Sequence, residues 1–133
     1  MVPEKKVSWL EKLQAAARRE DWAFVDENIG NGHTDEGNTW ALGPGLDDAN
    51  PNLRDLAATI LCGYAFPFDA KTRQKMYRLM ETDTNVFVRY RLAFALVVGG
   101  DRSELVRKTI EQARQDKEIG KIAEEYWNRY LKQ

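Results

Sequence analysis

DANPNLRDLAATIL at residues 48–61 and DTNVFVRYRLAFAL at residues 83–96 share one skeleton, and its reading decides the fold. Asp48 answers Asp83, Asn50 answers Asn85, Leu53–Arg54 answers Val88–Arg89 and Leu61 answers Leu96, each pair 35 positions apart. Leu53, Ala57 and Leu61 correspond to Val88, Leu92 and Leu96. Their i, i+4, i+8 spacing lays one apolar stripe along a helix. Ala58 and Ala93 also align, and small residues there let helices approach closely. A repeat of this period, with a helix pair per unit, cannot bury its apolar face alone, so neighbouring units stack and share a core.

The pattern outward from these copies is helical. Pro51 suits a first helical turn, where its missing N–H costs nothing, and that helix runs to about Gly63. Asp69 caps AKTRQKMYRLMET, and Asn85 or Thr84 opens VFVRYRLAFALVV, which stops at Gly99–Gly100. Ser103, with Asp101 before it, starts ELVRKTIEQARQ. A last helix covers about 118–131, with Ile119, Ala123 and Trp127 continuing the inner stripe 31 residues on. Toward the N-terminus, Ser8 caps a helix over 8–19, with Glu11 in capping-box position, and a short helix covers 21–29 and ends at Gly30. Residues 30–47 hold five glycines and Pro44, which interrupt any long helix. A short helical turn around 35–42 packs Trp40 and Leu42 inward. Trp9, Trp22 and Trp127 sit at core spacing. No strand alternation is present.

On D-x-N-x-x-L-R-x-x-A-A-x-x-L at 48–61 and D-x-N-x-x-V-R-x-x-L-A-x-A-L at 83–96, the chain resembles HEAT-repeat proteins, particularly the short HEAT-like repeats of prokaryotes. The resemblance implies an all-α fold, a short α-α superhelix (HEAT-like solenoid) of three to four helix pairs with the first pair degenerate. It implies a single domain over 1–133: a degenerate N-terminal unit at 1–47, the best-matching repeats at 48–100 and a C-terminal cap at 101–133. It also implies a structural ladder of Asp48, Arg54, Asp83 and Arg89, in which a turn Asp caps a helix start and a forked guanidinium six residues on reaches carboxylates of adjacent units. In the third unit Gly120 stands at the ladder Arg position, with no Asp six residues before it, as suits a terminal cap.

Composition bounds the chemistry. With 43% hydrophobic and 31% charged residues the chain is globular rather than disordered. MVPEKKVSWLEKL has no apolar core of a leader and no run approaches a membrane span, so a cytoplasmic location and no membrane partner are expected. Net charge is −1, which exerts no overall pull on nucleic acid, although residues 1–52 carry 5 basic and 10 acidic side chains and residues 53–100 carry 7 and 4. His33, the one histidine, sits in a polar Gly-rich loop and reads as solvated. Cys62, the one cysteine, sits in the apolar run ATILCGYAF and reads as a buried, inert thiol. No catalytic residue, no metal site and no cofactor is therefore expected, and the chain reads as a non-enzyme. ETDTN at 81–85 resembles the first half of a calcium loop but lacks the required Gly and the closing Glu, so it reads as a turn and helix cap.

Two surfaces remain. Lys71, Lys75 and Arg78 share one helix face and read as solvated. Phe87, Tyr90, Phe94 and Val97 form a second apolar stripe whose counterparts in the preceding unit are Asn52, Asp55, Thr59 and Cys62. Phe87, Tyr90 and Phe94, with Arg91, are the candidate partner-binding residues, since aromatics dominate binding hot spots. The family resemblance implies a scaffold or adaptor that binds a protein or peptide, with homo-oligomerisation open. Two other implications of the resemblance are nucleic-acid binding, glycosylase-like or through the phosphate backbone, and an accessory role like that of phycobilin lyase HEAT-like proteins. Nucleic acid is disfavoured by charge and length.

Overall fold

The computed structural model describes residues 7–64 and 67–132; the leader expectation at residues 1–6 and the end of the run ATILCGYAF lie outside them. Among these residues all regular structure is helical. The helices are α1 (Trp9–Arg18), α2 (Trp22–Asn28), α3 (Asp35–Trp40), α4 (Pro51–Leu61), α5 (Ala70–Thr82), α6 (Val86–Val98), α7 (Glu104–Arg114) and α8 (Gly120–Tyr126). A single 3₁₀ turn, Ile29–Gly32, follows α2, and π-helical turns extend α3 through Ala41–Gly45 and α8 through Trp127–Leu131.

The helix starts follow from side-chain caps that satisfy orphan N–H groups. Ser8 accepts from Glu11 N–H, Asp69 from Thr72 N–H at 2.7 Å and Ser103 from Val106 N–H. Asn50 and Asn85 accept from the N–H two residues on, each at 2.9 Å. The ends follow from left-handed residues. Gly100 has φ +101° after α6, where Asp101 N–H reaches Leu96 O. At the end of α1 the same role falls to Glu20, with φ 60°.

Helices pack mainly against their neighbours in sequence. α1 lies on α2 and α4, α4 on α6, α6 between α5 and α7, and α7 on α8. The apolar stripe read from the repeat is the interior: Leu53, Ala57, Leu61, Val88, Leu92 and Leu96 are all buried, as are Ala58 and Ala93. Ile119 and Ala123 extend it, and Trp127 packs half-buried beside them. The Gly-rich segment is a packed corner and not a loose loop. A Cβ on Gly37 would stand 2.0 Å from Gly32 O, and one on Gly45 2.8 Å from the Ala57 methyl. The glycines are there because backbone approaches backbone and helix at those points. Trp40 and Leu42 pack half-buried on the core. No helix among the described residues is long and apolar enough to cross a membrane.

Three expectations are corrected by packing. Phe94 is 1% exposed, because the Tyr126 ring stacks on it at 4.4 Å and 5°, so it is core and not contact surface. Val97 is buried with it. Trp9 is 39% exposed and lies outside the core, stacked near Phe24 with the Lys12 ammonium 4.5 Å from its ring. On the basic face of α5, Lys75 is held by Asp47 at 2.7 Å and by Gly43 O, which leaves Lys71 and Arg78 exposed.

Candidate functional site

The ladder positions form one rung. Arg54 donates from Nε and Nη2 to the two carboxylate oxygens of Asp83, at 2.9 and 3.0 Å, across the α4–α6 contact. Its Nη1 donates to the carbonyls of Asp48 and Ala49. Asp48 itself caps its own turn, its Oδ1 accepting from Asn50 N–H at 2.8 Å, as Asp83 does with Asn85 N–H. Arg89 makes no such rung: its Nε is buried and without a hydrogen-bond partner among the described residues. The turn before α8 carries an Asp at another position, since Arg114 stands six residues before Gly120. Asp116 Oδ1 accepts from the N–H groups of Glu118 and Ile119, repeating the Asp48 and Asp83 geometry. Alignment by spacing misses it, because Asp48 and Asp83 stand five residues before Leu53 and Val88 whereas Asp116 stands three before Ile119.

One helical turn past the rung, a groove opens between α2, α4, α6 and the start of α8. Its floor is Asp55, which is 5% exposed, joined to Arg91 by a 2.7 Å contact from Nε to Oδ1. Trp22, Phe87, Ile119 and Ile122 line it and Asp26 and Glu118 stand at its edge, around a cavity of about 240 Å³. Ile122 also lines a second cavity, of about 360 Å³, with Cys62, Val98, Tyr126, Tyr130, Glu125 and Arg129. Ile122 and Val98 are 43% and 38% exposed, so the groove presents apolar surface to water between charged side chains.

Burial is the main influence on the Asp55 carboxyl and raises it above the ordinary carboxylate value; Arg91 pulls it down, and Asp26 and Asp83 push it up again. The same α6 turn holds Cys62, whose thiol donates to Arg91 O. Burial pushes the Cys62 thiol and the Tyr126 hydroxyl each up to about 12, so both stay protonated at neutral pH and neither is an activated nucleophile or acid. His33 takes no part: its ring lies against Gly63. No three His, Cys, Asp or Glu side chains among the described residues group to hold a metal ion.

Of the candidate contact residues, Phe87 and Arg91 face the groove, Tyr90 packs half-buried with its ring nearly perpendicular to that of Phe87, and Phe94 is internal. Asp55, Trp22, Asp26, Glu118 and Ile122 are the groove residues that the repeat did not reveal. Asp55 carried a signal, as a lone acid inside the apolar run LRDLAATIL. Its pairing with Arg91 is 36 residues on, one off the repeat, so the aligned copies conceal it. Comparison with protein-family models, with curated proteins and with solved structures finds no match to this chain.

Proposed function

We propose that the chain is a HEAT-like α-α repeat that acts as a non-catalytic scaffold, receiving a segment of a partner protein in the groove between α2, α4, α6 and α8. The recurring turn Asp, the Arg54–Asp83 rung and the shared inner stripe support the repeat reading. The observation that carries the binding reading is the exposed Ile122 and Val98 flanked by Trp22, Phe87 and Tyr126 around two adjoining cavities. Exposed apolar surface rimmed by polar groups is how interaction sites differ from ordinary surface. The protonated Cys62 and Tyr126 and the ion-paired Asp55 support a non-catalytic role.

The groove is unfavourable for a phosphate backbone. Asp26, Asp55, Glu118 and Glu125 line it, and Arg91 is already committed to Asp55. No group in the groove specifies a chromophore.

Ile122→Arg blocks both cavities at an exposed position where the fold tolerates it. Immobilised wild-type protein is expected to retain a partner from host extract that Ile122→Arg loses and that Lys71→Glu, on α5 and outside the groove lining, keeps. Equal retention by all three would sink the groove as the docking surface.

A further inference from the structure

We propose that the groove selects a cationic segment: an arginine or lysine side chain enters the cavity between Trp22 and Phe87 against Asp26 and Glu118, and a flanking apolar residue rests on Ile122. This rests on the docking reading above and names the chemistry of the occupant. Three observations carry it. The first is charge. Four carboxylates and two guanidiniums line the adjoining cavities, and the Asp55–Arg91 pair cancels itself, which leaves Asp26 and Glu118 as the uncompensated charges at the Trp22 end. Neither has an ion-pair partner among the described residues. The second is crowding. Asp26 lines the same cavity as the buried Asp55 carboxyl and raises it, so a cation placed there relieves repulsion as well as forming new contacts.

The third is the use of the rings. Elsewhere the chain sets its own cations over its aromatic faces: Lys12 over Trp9, Arg19 over Phe24, Arg102 over Tyr130 and Arg114 over Trp127. Trp22 and Phe87 line the groove with no such cation among the described residues, although the cavity beside them is negatively edged. A guanidinium from outside completes there the arrangement seen four times among the described residues.

The test uses three eight-residue peptides of leucine alternating with arginine, serine or glutamate. Each is titrated into nitrogen-labelled protein while the Trp22 indole N–H resonance, assigned with Trp22→Phe, is followed. The arginine peptide is expected to move that resonance and to bind about tenfold more tightly than the serine peptide, the size expected from two exposed carboxylates and one ring contact. The double variant Asp26→Asn, Glu118→Gln is expected to remove that advantage, so that the arginine peptide binds no more tightly than the serine peptide. Equal binding of the arginine and serine peptides overturns the cationic preference while the docking reading stands. Failure of every peptide to move Trp22 overturns both. A short DNA duplex that moves it more than the arginine peptide overturns both in favour of nucleic acid.

Discussion

Single residues show why the same sequence position does different work in the two copies. Arg54 and Arg89 are equivalent by spacing, yet Arg54 grips Asp83, whose side chain is 1% exposed, while Arg89 buries an Nε with no acceptor. Removing one partner of a buried ion pair strands the other, whereas removing an unsatisfied donor strands nothing. Arg54→Met is therefore expected to lose about 3 kcal/mol in urea unfolding. Arg89→Met should stay within about 1 kcal/mol of wild type. Similar losses from both would show that the rung is not what distinguishes them. Asp55 raises a different question of sign. Its carboxyl titrates higher in the folded chain than the ordinary value it takes when unfolded, so between those two values the folded state holds more protons, and stability rises as pH falls through the folded value. Wherever it is ionised, the group is thus a net cost, even with Arg91 beside it. Arg91 keeps a quarter of its side chain exposed and reaches water if released. Asp55→Asn is expected to melt higher than wild type at pH 7. The gap should narrow as pH drops toward the ordinary carboxylate range; a lower melting temperature at pH 7 would mean the ion pair outweighs burial.

At the scale of elements, helix boundaries were largely legible because they rest on local chemistry. Ser8, Asp69, Asn85 and Ser103 act at the starts where their type and position predicted caps. Gly99–Gly100 marked the end of α6 for the same local reason. The end of α1 was readable only to within a residue or two, because Glu20 gives no chemical sign of a left-handed stop. Its φ of 60° is costly for a residue with a Cβ. Glu20→Gly removes that cost but loosens the unfolded chain, and the net expectation is a gain of about 0.5–1 kcal/mol. Differential scanning calorimetry would register this as a melting temperature higher by a few degrees; no change or a fall would mean Glu20 makes a compensating contact. The Gly-rich corner at 30–47 shows the opposite limit. Its glycines read as interruption, but Gly37 and Gly45 are needed where backbone meets backbone and helix, a contact between segments that no local pattern encodes.

Over the whole molecule, the inner stripe and the groove had different fates in the sequence. The stripe recurs at fixed spacing because each helix that carries it buries one face, so Leu53, Ala57, Leu61 and their counterparts announced an all-helical protein with a shared core from residue order alone. The departure from the repeat at Phe87, Tyr90 and Phe94 pointed to the right helix, but it could not say which aromatic was covered. α8 decides that by laying Tyr126 on Phe94 and leaving Phe87 toward the groove. The groove joins Trp22, Asp55, Arg91 and Ile122 from four helices, and their separations follow no common period. Sequence by itself therefore determined the helices, their caps and the buried stripe, all of which depend on interactions within a turn or at a repeated interval. Only tertiary structure decided which aromatic became core, which arginine found its carboxylate and where exposed apolar surface met uncompensated acid. Each of those outcomes depends on how a distant helix packs.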